Sequence, residues 1–362
     1  MKLIEFIRKQ SKPVIVLEGF LLVVLLGVID YATGEELFFL EFYLLPIILL
    51  TWFVSEKAGI IGTLASGIFW FLDDVFHRPG HDRLLIPYWN VLLKILVFVI
   101  FTRILAALKE ALDREKAAEQ EKVQRELEIA RDVQLGLFPQ VLPRIQTMDY
   151  FGVCEAADVV GGDYYDFLLL SNQTLGVAIG DVSGKGISSA LLMANIQAML
   201  RSNAMLYPNA TNQLVREINN LLYQSNKAGK FATFFYGVYE STSRRFCYVN
   251  AGHNPPLLLR KGAITHLNAS GTVIGLFPDR EYKQVCLQLE KGDLIVLFTD
   301  GLVEARNSKE EEFGEERVSG WMAQTAGLGA KDFITGLLSN VKEFVGQAPQ
   351  HDDLTVVALK IA

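Results

Sequence analysis

Cysteine is scarce in this chain, and excess positive charge is absent. Its 362 residues hold three cysteines, Cys154, Cys247 and Cys286, none in a C-x-x-C pair and none followed six positions on by arginine. That spacing excludes a cysteine-nucleophile phosphate loop, and all three read as buried packing residues. No Gly-x-Ser-x-Gly elbow and no Gly-rich P-loop occur, so the chemistries those motifs carry are set aside. The net charge of −7 argues against a nucleic-acid partner. No internal repeat or disordered tract is evident.

What is abundant is apolar sequence. Hydrophobic residues make up 51% of the chain and the mean hydropathy is +0.26, too apolar for an ordinary soluble enzyme. The excess lies before residue 110, in four runs at about 14–31, 37–54, 59–76 and 84–105. Each approaches or exceeds the roughly 20 residues needed to cross a bilayer core as a helix. A signal peptide is the weaker reading of the first run, because no small-residue cleavage site follows and three more runs do. Lys2, Arg8, Lys9 and Lys12 precede the first run, and Arg103, Lys109, Arg114 and Lys116 follow the fourth. Basic flanks on an even number of spans place both ends in the cytoplasm, although Arg78 and Arg83 in the third connection dissent. The expectation is a four-span α-helical domain over 1–108 in the cytoplasmic membrane. Lys94, inside the fourth run, is costly in lipid and has Glu41 as its candidate partner.

From about 105 to 137 the composition turns to Ala, Glu, Lys, Gln, Arg and Leu, with no proline until Pro139. These are strong helix formers. Apolar residues at mostly three- and four-residue steps suggest a helical stalk over 109–140 that pairs with a second copy in a homodimer, rather than a lone solvated spacer.

Beyond it, apolar alternation with turn residues predicts strands near 165–170, 175–181, 233–239, 245–250, 256–260, 285–289, 294–299 and 354–361. Helices are predicted near 186–204, 211–225, 315–323 and 331–345. Hairpin-length gaps favour antiparallel pairing. Strands and helices in separate runs point to an α+β domain over 141–362, an antiparallel β-sandwich flanked by helices.

Four acidic clusters punctuate that domain: Gly161-Gly162-Asp163-Tyr164-Tyr165-Asp166, Gly180-Asp181, Thr299-Asp300-Gly301 and His351-Asp352-Asp353. Each lies where a strand meets a turn, with almost no compensating base. Gathered aspartates repel one another unless a cation joins them, and oxygen-only clusters suit hard ions such as Mg²⁺ or Mn²⁺. Two such ions about 3.5–4 Å apart activate water for in-line attack on phosphorus and neutralise charge on the phosphoryl oxygens. Any one Asp-Gly alone is usually a turn former. Gly161-Gly162-Asp163 also matches the start of a GGDEF cyclase signature, but the Glu-Phe continuation is missing.

Five motifs occur in order: Asp158-Val-Val-Gly-Gly-Asp163-Tyr-Tyr-Asp166, Gly180-Asp181-Val-Ser-Gly-Lys-Gly186, Ala251-Gly-His-Asn-Pro-Pro256, Phe298-Thr-Asp300-Gly-Leu302 and Asp352-Asp-Leu-Thr355. Together they resemble the SpoIIE/RsbU-type serine phosphatases, the bacterial branch of the metal-dependent PPM phosphatases. Ile129-Ala-Arg-Asp-Val-Gln134 with Leu137-Phe-Pro139 also resembles that family's helix before the catalytic domain, so the likeness covers about 125–362. It implies that Asp163 and Asp181, with the Val182 carbonyl, bridge two Mn²⁺ or Mg²⁺ ions, and that Asp300 and Asp352 are the later ligands. It gives Asp353 an accessory role and leaves Asp166 either ligating through water or capping a turn. Lys185 stands where the family often has His. His351 is a supporting candidate, and His253 reads as a turn-stabilising residue more than a ligand. The implied activity is removal of phosphate from phosphoserine or phosphothreonine in a STAS-type anti-sigma-factor antagonist. A membrane receptor whose C-terminal domain docks a partner without catalysis is the alternative.

Overall fold

The computed structural model describes residues 2–33, 40–77, 85–225 and 229–362, with side chains outside the description at 2–4, 73–77 and 85–87. The chain divides into two compact units, Met1–Val123 and Gln124–Ala362.

The first unit is helical: α1 (Lys2–Lys9), α2 (Lys12–Thr33), a 3-10 turn (Leu40–Tyr43), α3 (Leu44–Phe53), α4 (Glu56–His77) and α5 (Leu85–Leu135), which runs on into the second unit. Among the described residues two helices are long and apolar enough to cross a membrane, α2 and the Tyr88–Leu135 part of α5. Two of the four expected spans are thus supported by helices of the described residues. The second predicted run breaks into the 3-10 turn and a ten-residue helix. Pro46 explains the break: with no N–H, and with a ring that would clash with a preceding carbonyl, it is tolerated only in the first turn of α3. Helix α4 has 22 residues, but its last turn carries undescribed side chains. The connections that argued for orientation fall largely on 34–39 and 78–84, outside the described residues. Tyr43, Trp70 and Phe98 pack together at this unit's centre. Lys94 lies over the Trp70 ring, 5.9 Å from its centroid, and Glu41 is exposed, so the expected Lys94–Glu41 pair is not what holds this cation.

The second unit is a two-sheet sandwich. One sheet orders β1 (Met148–Glu155), β10 (Leu354–Ile361), β9 (Leu294–Phe298), β6 (Leu257–Arg260) and β7 (Ala263–His266). The other orders β2 (Tyr164–Ser171), β3 (Thr174–Val182), β4 (Ala232–Glu240), β5 (Arg245–Ala251) and β8 (Val285–Gln288). Every strand pairing is antiparallel. Strand parity decides which core each residue enters. Val177 and Ile179 of β3, Ile295 and Leu297 of β9, and Val357 and Leu359 of β10 fill the space between the sheets. Their neighbours Ala178 and Val182 turn outward under α6 (Ile187–Asn203) and α7 (Thr211–Ser225). On the opposite side, Val296, Phe298 and Val356 meet α9 (Glu315–Thr325) and α10 (Ala330–Val345). Burial on both faces is why these strands read as near-continuous apolar runs. A short helix, α8 (Asp300–Val303), follows β9.

The reading of all three cysteines as buried packing residues is wrong. Cys247 and Cys286 oppose each other in the β5–β8 register and are joined by a disulfide, and Cys286 is exposed. Cys154 is free and half-buried.

Candidate active site

Strand pairing alone brings the acids to one end of the sandwich. Strand β2 starts at Tyr164 opposite Gly180 of β3, so Asp163 and Asp181 close the same end of that strand pair. In the other sheet Phe298 of β9 pairs with Val356 of β10, and the Thr299 N–H donates to the Thr355 carbonyl at 3.1 Å. Asp300 leaves β9, and Asp352 enters β10, just beyond that last rung.

Asp163 joins the two sheets. It is buried, and its Oδ2 accepts hydrogen bonds from Thr299 Oγ1 at 2.7 Å and Thr355 Oγ1 at 2.6 Å. The Thr299 hydroxyl oxygen in turn accepts the Thr355 N–H at 3.0 Å. Asp353 braces the backbone instead. Its Oδ1 accepts the Ala157 N–H at 2.9 Å and its Oδ2 the Gly162 N–H at 2.7 Å. Two glycines are required by close approach. A Cβ on Gly301 would lie 1.9 Å from the Asp353 carbonyl oxygen, and one on Gly162 would lie 2.9 Å from the Val182 carbonyl oxygen and 3.6 Å from Asp181 Oδ1. Gly162, the Val182 carbonyl and the Asp181 carboxylate thus lie close together.

The carboxylates act on one another. Burial, then the neighbouring Asp181, holds the Asp163 carboxyl well above the usual carboxylate range. Burial together with Asp300, Asp352 and Asp353 pushes Asp181 up to about 7, with Lys185 opposing. Burial and Asp352 also raise Asp300. Such mutual repulsion is what a divalent cation relieves. Among the described residues, no three His, Cys, Asp or Glu side chains close into a ready-made cage. Lys185 Nζ sits 3.1 Å from Asp352 Oδ2 and donates to the His351 carbonyl, while the His351 side chain is exposed.

Asp166 belongs to a different place. Three positions beyond Asp163, it has the opposite strand parity and points under α6. There Arg201 grips it with two bonds of 2.8 and 2.9 Å, and Tyr164 donates its hydroxyl proton at 2.7 Å. With both oxygens so engaged, Asp166 anchors the helix layer. His253 is buried, with its ring Nδ1 2.9 Å from Thr233 Oγ1 and its backbone N–H donating to Asn250 Oδ1 at 2.8 Å. It sets the turn after β5.

Three contributors carried no sequence signal of their own role. Thr299 and Thr355 stood inside the motifs, but nothing local said that both hydroxyls meet on Asp163. Gln134, near the end of α5, is buried and exchanges two hydrogen bonds with Gly161: its Nε2 donates to the carbonyl at 2.7 Å, and Oε1 accepts the N–H at 3.0 Å. Gln134 and Asp353 together fix the Gly161–Gly162 turn that delivers Asp163.

Two antiparallel sheets with helices outside and a carboxylate cluster at one end define the PP2C-type phosphatase fold. The SiaA PP2C domain of Pseudomonas aeruginosa superposes with a TM-score of 0.62 at 19% identity, covering 68% of this chain and all of that one. The PP2C domain of SpoIIE from Bacillus subtilis, solved with a fragment of its regulatory domain, gives 0.52 at 20% identity, covering 60% and 64%. The chain belongs to the SpoIIE family, whose description, Stage II sporulation protein E, matches residues 171–362. It is 32% identical to phosphoserine phosphatase RsbU of Bacillus subtilis over 248 residues, 67% of this chain and 71% of RsbU. Phosphoserine phosphatase RsbP of the same organism is 29% identical over 186 residues, and the chain spans 45% of its length.

Proposed function

We propose that this protein is a membrane-anchored, metal-dependent serine/threonine protein phosphatase that dephosphorylates a regulatory protein of the STAS-type anti-sigma-factor antagonist class. The observation that carries the reading is the convergence of Asp163, Asp181, Asp300 and Asp352 from two separate sheets onto one end of the fold. The names of RsbU and RsbP support phosphoserine as the bond cleaved.

In this reading Asp163, Asp181, the Val182 carbonyl, Asp300 and Asp352 hold two Mn²⁺ or Mg²⁺ ions. When bound, such ions lower the pKa of a water and neutralise charge on the phosphoryl oxygens. The chain's own work is positional. Thr299 and Thr355 fix one Asp163 oxygen and leave the other free of those two bonds. Asp353 and Gln134 hold the turn before Asp163, and Lys185 keeps a positive charge beside Asp352 at the rim.

Helices α2 and α5 support membrane anchoring, and the basic flanks support a multi-pass arrangement of four spans with the catalytic domain in the cytoplasm. The polar stretch of α5 supports a homodimer formed through paired stalks. The domain assignment is 1–108 for the membrane part, 109–140 for the stalk and 141–362 for the phosphatase.

The test is to incubate the purified full chain with STAS-domain antagonist proteins phosphorylated on serine. Manganese-dependent loss of phosphate from at least one is expected. Retention of phosphate by all of them, with p-nitrophenyl phosphate still hydrolysed, would overturn the assigned substrate class.

A further inference from the structure

A cavity of about 510 Å³ opens beside the acidic cluster and shares three residues with its motifs, Gly301, His351 and Asp352. Its size falls within the roughly 300–1,000 Å³ of cavities that enclose small ligands. Its base is apolar: Val341 and Val345 on α10, Leu354 at the start of β10, and Ala348 in the intervening loop. Val341 and Leu354 are nearly covered, while Val345 and Ala348 remain half-open.

The two basic residues at the rim, Lys342 and Arg306, already have acidic partners. Lys342 Nζ lies 2.8 Å from Glu155 Oε1, and Arg306 reaches Glu312 at 2.9 Å. Glu304 and Glu310 add negative charge. A rim of this kind has little to offer a second phosphate, whereas the apolar base has surface to offer a hydrocarbon side chain.

Position decides which side chain. Asp352 faces the carboxylate cluster on one side and this groove on the other. A polypeptide whose phosphoserine reaches the cluster therefore passes over the groove within a few residues, at about 3.3 Å per extended residue. On the phosphatase reading given above, we propose that the groove is a specificity pocket for the substrate phosphoprotein. It takes one large aliphatic or aromatic side chain lying within three residues of the phosphoserine. The preference it confers comes from removing apolar surface from water, and differences of this kind are worth tenfold or more in kcat/KM.

The experiment uses the full-length protein in detergent with Mn²⁺ and three probes: p-nitrophenyl phosphate and two phosphoserine decapeptides. One peptide carries leucine, the other serine, at the positions within three residues of the phosphoserine. Wild type is expected to prefer the leucine peptide by about tenfold or more in kcat/KM. Ala348→Trp, which fills the groove, and Val345→Glu, which makes its base polar, are each expected to reduce that ratio to near one. Turnover of p-nitrophenyl phosphate should stay at the wild-type level in both, which also reports that the site is intact. Equal use of the two peptides by wild type, or an undiminished preference in both variants, would overturn the proposal. So would a change of oligomeric state in Ala348→Trp with the preference intact, since that would assign the groove to a second copy of the chain. Absence of metal-dependent turnover on all three probes in wild type would instead sink the phosphatase reading, and the pocket with it.

Discussion

Gln134 and Gly161 face each other through a closed pair of hydrogen bonds, 2.7 Å from the amide nitrogen to the carbonyl and 3.0 Å from the backbone N–H to the amide oxygen. One partner ends the helix that leads into the phosphatase unit, and the other begins the turn that presents Asp163. Removing the amide leaves a buried donor and a buried acceptor unpaired, each costing about 1–3 kcal/mol. Gln134→Ala is expected to lower p-nitrophenyl phosphate turnover at least tenfold and to raise the Mn²⁺ concentration needed for half-maximal activity. Gln134→Glu, which keeps the acceptor and loses the donor, should fall between the two. Wild-type metal dependence in Gln134→Ala would show that the pair only secures the helix end.

Thr299 and Thr355 both donate to the same oxygen of Asp163. Groups that orient a metal-binding carboxylate typically control affinity by 10–100-fold. Thr299→Val should weaken activation by Mn²⁺ within that range, and Thr299→Ser, which restores the hydroxyl, should recover most of it. The check is a Mn²⁺ titration of activity in the three proteins. Equal half-activation in Thr299→Val and wild type would contradict the role given to this hydroxyl.

Asp166, itself buried, pairs with a half-open Arg201 under α6 rather than with the other acids. Arg201→Met strands a buried carboxylate, a change that costs about 3–5 kcal/mol in comparable cases. Half of the Arg201 side chain is open to solvent, so the lower figure is expected here. Thermal unfolding should shift down by several degrees. The Mn²⁺ dependence of the surviving activity should stay as in wild type; a changed metal dependence would return Asp166 to the active site.

How much of this was legible in the sequence varies from residue to residue. All eight strands expected from apolar runs between turn residues are present, because strands buried on both faces read as such runs. Strand β1 was not anticipated: Gly152 interrupts its pattern, and its partner β10 lies some two hundred residues away. Strand β7 is mostly exposed and shows no alternation. Asp163 and Asp166 look equivalent in Gly-Gly-Asp-Tyr-Tyr-Asp. Only the strand start at Tyr164 and the distant Arg201 separate a cleft residue from a helix anchor. The Cys247–Cys286 disulfide was hidden for the same reason, since it depends on β8 pairing with β5 across 39 positions.

His253 supplies a pH signature. Burial pushes its imidazole down to about 4, whereas in an unfolded chain it takes up a proton near 6.5. Its contribution to stability is therefore complete above pH 6.5 and is lost as the pH falls through 6.5 toward 4. The limit of that loss is about 3 kcal/mol. In chelator, the difference in melting temperature between wild type and His253→Gln should shrink as the pH is lowered from 7.5 to 5. A difference that is constant across this range would show that His253 does not remain neutral in the fold.

The central claim is that the converging aspartates make a metal-dependent phosphatase. Its most direct test is p-nitrophenyl phosphate hydrolysis by the purified full chain, first with excess chelator, then with Mn²⁺ restored, and in parallel with Asp181→Asn and Asp300→Asn. The account predicts no activity in chelator, recovery with Mn²⁺, and loss of most turnover in both variants while the melting temperature shows them folded. Hydrolysis that persists in chelator, or near-wild-type turnover in either variant at saturating Mn²⁺, would contradict it.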